Sequence, residues 1–144
     1  MEETIMGPDE PTGAILVVDD DAAVRGVVKA FLEGAGYTVV TATDGADGLT
    51  FFKRHQSVIA LILTDVAMPN MNGLDLADRV LELNAELPIL FMSGSAHHAD
   101  RGFGCMAKPF RGADLLARIR SSVETYSSLK QCTVRLKPRR LCVK

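Results

Sequence analysis

Apolar residues along the chain fall into short continuous runs separated by stretches with helical spacing. "AILVVD" (14–19) is β-branched, too short for a helix and apolar on both faces, as a strand covered on two sides should be. Val24, Val27, Val28, Phe31 and Leu32 then recur at one-stripe intervals and predict an amphipathic helix ending near Gly34 and Gly36. The alternation continues. "YTVVTA" (37–42) predicts a second strand, and Ala46, Leu49 and Phe52 the inner face of a second helix opened by Asp44 as its cap. "IALILT" (59–64) predicts a third strand, followed by a helix with Leu74, Ala77, Val80 and Leu81 inward. "PILFMS" (88–93) and "FGCMA" (103–107) predict strands four and five. A last helix is expected over 113–126 with Leu116, Ile119 and Val123 inward.

Strands alternating with helices imply right-handed crossovers and an α/β fold, a doubly wound parallel sheet with helices on both faces. In such sheets, groups that act on ligands gather beyond the carboxyl ends of the strands. Candidate residues can therefore be read from strand ends. Strand one ends in Asp19, Asp20 and Asp21, strand three in Asp65, strand four in Ser93 and strand five in Lys108.

Composition narrows the picture. A chain of 144 residues, 47% of them hydrophobic, suffices for one core and leaves no room for a second folded domain. A net charge of -2 gives no general case for nucleic acid binding, and no apolar stretch reaches the roughly 18 residues of a membrane span. The three cysteines, Cys105, Cys132 and Cys142, fit neither a zinc spacing nor an even disulfide framework, so a reducing cytoplasm is expected. The acidic start lacks the basic region of a signal peptide. These features divide the chain into a flexible segment 1–12, a domain 13–126 and a basic tail 127–144, read most simply as a disordered end. The initial Met1 and the compact motif set lead us to expect an independent protein.

The converging groups have a chemistry. Carboxylates held within a few ångströms repel and need a cation, and an all-oxygen donor set suits Mg²⁺. Lys108 supplies a point charge for a phosphoryl oxygen, and Ser93 a hydroxyl donor. Asp65 could then attack phosphorus to give an acyl phosphate. Each residue also has a plainer reading, as turn former or helix cap, and for Asp21 the cap is preferred. Joint occurrence at four strand ends argues for the chemical one.

"ILVVDDD", "LILTDVAMPNMNG", "PILFMSGS" and "MAKPF" resemble, in order, the signature segments of response-regulator receiver domains over roughly residues 13–126. The resemblance implies a flavodoxin-like sheet of order 2-1-3-4-5. It also implies that Asp65 is the phosphoacceptor, loaded by a histidine kinase or histidine phosphotransfer protein in two-component signalling. Asp20 and Asp65 would hold Mg²⁺ through their side chains and Ala67 through its carbonyl, with Asp19 holding the metal's waters. Lys108 would contact the phosphoryl oxygens. Ser93 would bond the phosphoryl group on activation and shift the 93–108 region, altering how an output protein, not identifiable from the sequence, binds. In this reading the chain is a signalling phosphoacceptor rather than a turnover enzyme.

Departures from the family pattern are also legible. Strands four and five are separated by roughly nine residues, 94–102, where a crossover takes about 10–12, so the fourth helix is expected to be shortened to about a turn or missing. Cys105 stands where relatives often carry an aromatic switch residue, and Ala67 offers no polar side chain to orient water. His97 and His98 in a polar loop are read as solvated. Two alternatives remain: a haloacid-dehalogenase-like phosphatase with Asp19 as nucleophile in a "DxD" with Asp21, and a phosphorylation-independent docking module on the same fold.

Overall fold

The computed structural model describes residues 13–93, 104–107 and 110–136. Five strands, β1 (Ala14–Val18), β2 (Thr38–Ala42), β3 (Ile59–Asp65), β4 (Ile89–Ser93) and β5 (Gly104–Ala107), form one parallel sheet of order β2-β1-β3-β4-β5. The doubly wound 2-1-3-4-5 order is therefore present. Helices α1 (Ala22–Gly34), α2 (Gly45–Arg54), α3 (Gly73–Leu83) and α4 (Gly112–Leu136) complete the fold, with a 3-10 turn at Gln56–Val58.

Alternation along the strands builds two cores. Ile15 and Val17 of β1 join Leu61, Leu63, Leu90 and Met92 beneath Val28 and Leu32 of α1 and Leu115 and Ile119 of α4. Leu16 and Val18 point the other way, with Ile62 and Phe91, beneath Phe52 of α2 and Leu76, Ala77 and Val80 of α3. The central strands are thus apolar on both faces because both faces are covered.

The helix faces differ in detail from the sequence reading. Val28 and Leu32 are buried, but Val27 and Phe31 are 69% and 38% exposed, and Ala46 is exposed as well. Leu76 and Leu115, not anticipated as inward positions, are fully buried. A stripe of apolar residues is wider than the line of contact with a sheet, and only packing decides which edge is covered.

The last helix continues to Leu136, ten positions beyond the expected end at 126. Residues 127–136, placed in the tail by the sequence reading, continue the helix: neither glycine nor proline interrupts the chain from Ala113 to Leu136, and the first breaker is Pro138. The expected domain boundary at 126 therefore falls inside a helix. The shortened or missing fourth helix and the histidine pair fall on 94–103, which lie outside the described residues, as do the segments 1–12 and 137–144.

Candidate phosphoacceptor site

Strand register brings the acids together. Val18 of β1 pairs with Thr64 of β3, so the next residues on these neighbouring strands, Asp19 and Asp65, leave the sheet side by side. Carboxylate oxygens of Asp19, Asp20 and Asp65 all lie within 4.8 Å of one another. Asp19 is fully buried, Asp65 is 9% exposed, and Asp20 faces solvent.

Each acid is held by its own backbone surroundings. Asp19 continues the ladder by donating its N–H to the Ala42 carbonyl at 3.2 Å, and its Oδ1 accepts from the Asp21 N–H at 2.9 Å. Arg25 of α1 donates through Nη1 to the Asp19 carbonyl at 2.8 Å, bringing a positive charge up to the strand end. Asp65 aligns with Met92 of β4, and its Oδ1 accepts from the Val66 N–H at 3.0 Å. That N–H is shared with the Met92 carbonyl at 3.1 Å. The fully buried Thr64 donates its hydroxyl to the Asp65 carbonyl at 2.9 Å, satisfying a polar group that would be costly to bury alone.

Asp21 does something else. Its Oδ1 accepts from the N–H groups of Ala23 at 2.9 Å and Val24 at 3.4 Å, so it caps α1. This is the plainer of its two readings, and it gives the second acid of the "DxD" pair a structural task.

Ser93 ends β4, 3% exposed, one residue beyond the position aligned with Asp65. Ala67 is exposed at the start of the loop after β3. Lys108 lies outside the described residues; β5, which precedes it, pairs Ala107 with Ser93.

The loop from Val66 to Asn72 closes on itself. The Gly73 N–H donates to the Val66 carbonyl at 2.8 Å, and Asn72 caps α3 by accepting from the Asp75 N–H at 2.9 Å. A β carbon on Gly73 would collide with the Asp65 carbonyl oxygen, so the residue must be glycine for the loop to close this tightly. Asn70 adopts φ 66°, in the left-handed region that asparagine tolerates. Its Nδ2 donates to Asp44 Oδ2 at 2.6 Å, a contact between loops 26 positions apart. The sequence reading did not single out Arg25, Asp44 or Asn70 as part of this region; only the turn-forming "PNMNG" hinted at a specific loop geometry.

Three carboxylates this close, two of them buried, would repel strongly at neutral pH, and an oxygen-only donor set matches a hard divalent cation. The residues therefore fit a metal ion. Among the described residues no helix is long and apolar enough to cross a membrane.

Comparison with known proteins agrees with this geometry. The model of the response regulator receiver domain matches residues 15–120. The transcriptional regulatory protein DltR of Streptococcus agalactiae is 33% identical over 129 residues, covering 85% of this chain and 57% of that protein. The chain thus spans about half the length of the curated relatives it matches. Among solved structures, a CheY-like response regulator receiver domain protein from Methanospirillum hungatei is 27% identical with a TM-score of 0.73, covering 81% of this chain and 97% of that one. The response regulator protein TrrA from Thermotoga maritima, in complex with Mg²⁺ and BeF, is 26% identical with a TM-score of 0.69, covering 76% and 98%. By its strand order, its acidic strand ends and the family match across most of its length, the chain belongs to the receiver domains of two-component response regulators.

Proposed function

We propose that Asp65 is the phosphoacceptor and that the chain receives its phosphoryl group from a histidine kinase or histidine phosphotransfer protein. The observation that carries this reading is the convergence of Asp19, Asp20 and Asp65 at the carboxyl ends of adjacent strands. An Asp65 carboxylate oxygen attacks phosphorus, an O–P bond forms, and the N–P bond of the donor phosphohistidine breaks with its electron pair left on the imidazole. The link between Asp65 Oδ1 and the Val66 N–H orients the carboxylate for attack.

Asp20 and Asp65 side chains and the Ala67 carbonyl would hold Mg²⁺, with Asp19 orienting its waters; when bound, the ion neutralises charge on the phosphoryl oxygens. Support comes from the oxygen-only donor set and from the Mg²⁺ in the TrrA complex. Lys108 would supply a second positive charge, and Ser93, buried beside the Asp65 strand, a hydroxyl for the phosphoryl group. The modified site would then shift the 93–108 region and change partner binding.

Residues 13–126 carry this activity in our reading, acting in the cytoplasm. Several relatives are named transcriptional regulators, so an output in gene regulation through a partner or an attached domain is the natural candidate.

The test is intact-protein mass after incubation with acetyl phosphate, with and without Mg²⁺, for wild type and Asp65→Asn. One Mg²⁺-dependent phosphoryl addition, lost in the variant, is expected. No adduct on folded wild type would leave the fold as a docking module. An adduct that persists in Asp65→Asn and vanishes in Asp19→Asn would point to the phosphatase chemistry instead.

A further inference from the structure

The loop after Asp65 is held at its two ends, at Val66 and Gly73, and in its middle by the distant β2–α2 loop. Val66 is fixed at both its N–H and its carbonyl, and Gly73 closes the far end. Between them, Asn70 donates to Asp44 Oδ2 at 2.6 Å, and the neighbouring Gly45 N–H donates to the Met71 carbonyl at 3.1 Å. The Met71 N–H turns back to the Pro69 carbonyl at 2.7 Å. Ala67, Met68 and Pro69 are therefore a short bridge between the Val66 anchor and the Asn70 anchor.

Asp44 uses both carboxylate oxygens. Oδ1 accepts from the Asp47 N–H at 2.8 Å and caps α2, while Oδ2 takes the Asn70 amide. These donors, the Asp47 amide first and Asn70 second, hold the Asp44 carboxyl below its ordinary range, so the link is charge-assisted at neutral pH. A glycine at 45 lets the two loops approach, because a β carbon there would meet the Met71 carbonyl.

We propose that Asp44 is a positioning residue for the metal site: by clamping Asn70 it fixes the bridge that presents the Ala67 carbonyl. This rests on the reading above, in which that carbonyl is a Mg²⁺ ligand. Releasing the Asp44–Asn70 link lengthens the free bridge up to Met71, which Gly45 still holds, and the added freedom must be lost again when the metal binds.

Two variants separate the clamp from the cap. Asp44→Ser keeps a good capping oxygen for α2 but is too short to reach Asn70 as well. Asn70→Gly keeps the positive φ, removes the amide and changes no charge, which controls for the lost negative charge in Asp44→Ser. Calorimetric titration of the full unphosphorylated chain with MgCl₂ is the measurement. Each single variant is expected to weaken the Mg²⁺ dissociation constant roughly three- to tenfold, below the 10–100-fold typical of residues that touch a ligand directly. The double variant should be no weaker than Asp44→Ser alone, because both changes break one link.

Wild-type affinity in folded Asn70→Gly, or additive effects in the double variant, would overturn the clamp. Asn70→Gly decides the matter even where Asp44→Ser fails to fold, since it leaves the cap in place. Wild type that binds Mg²⁺ no better than Asp65→Asn would overturn the metal reading itself, and the clamp with it.

Discussion

Gly73 approaches Asp65 so closely that its missing side chain is a requirement of the site: a β carbon there would run into the Asp65 carbonyl oxygen. Gly73 does not have a positive φ, so the constraint is steric rather than conformational. The obstacle is backbone at the end of a central strand and cannot rotate away. Gly73→Ala should therefore cost on the order of 3 kcal/mol in unfolding free energy and lower the rate of Asp65 phosphorylation by acetyl phosphate. A urea denaturation curve unchanged from wild type would contradict this contact.

Crowded carboxylates make the metal-free site a source of instability. Asp65→Asn keeps an oxygen that can accept from the Val66 N–H while removing one of three clustered charges. Without metal, the variant should be more stable than wild type at neutral pH by about 1 kcal/mol. Mg²⁺ at ten times its dissociation constant should raise wild-type stability by about 1.4 kcal/mol and leave the variant nearly unmoved. Thermal melts with and without MgCl₂ give both comparisons.

Ala67 is exposed beside the acidic cluster and carries no group that could orient a water for attack on an acyl phosphate. Ala67→Asn should accelerate loss of the phosphoryl group by up to about 100-fold, the low end of what a positioned proton-transfer group contributes. Following the decay of the phosphorylated species by mass spectrometry tests this. An unchanged decay rate would show that water is oriented from elsewhere.

The Asp44 cap should carry a pH signature. Its carboxyl is held below the ordinary range by the Asp47 N–H and then by Asn70, so its contribution is full above the unfolded value, about 4, and is lost as pH falls through the lowered folded value. The stability gap between wild type and Asp44→Ala should thus be constant from pH 7 to about 5 and narrow below about 4. A gap independent of pH down to about 3 would mean that Asp44 is not an ionised acceptor.

Much of this molecule was legible because its strands are short, apolar and covered on both faces. Asp65 stood out as an acid ending the most apolar of them, and "ILVVDD" placed Asp19 and Asp20 at a second strand end. The helix faces were less legible. Val27 and Phe31 share a stripe with Val28 and Leu32, yet only the latter pair meets the sheet, while Leu76 and Leu115 lie at its buried centre. Periodicity gives the width of an apolar stripe, and the packing angle, a tertiary property, chooses its covered edge. The Asp44–Asn70 link was invisible for a related reason. It joins two loops whose approach depends on Gly45 and on a left-handed Asn70, neither of which announces a partner 26 positions away.

The length of α4 has a geometric consequence of its own. At 25 residues it extends about 37 Å, whereas β3, the seven-residue strand it packs against, spans roughly 23 Å. Leu115, Leu116, Ile119 and Val123 seat its first part against the sheet. A continuous helix carries orientation along its axis like a threaded shaft. Each residue added or removed in its outer turns rotates whatever follows by about 100° and moves it about 1.5 Å along the axis. Insertions of a whole turn would preserve the facing of an attached element, and insertions of half a turn would reverse it.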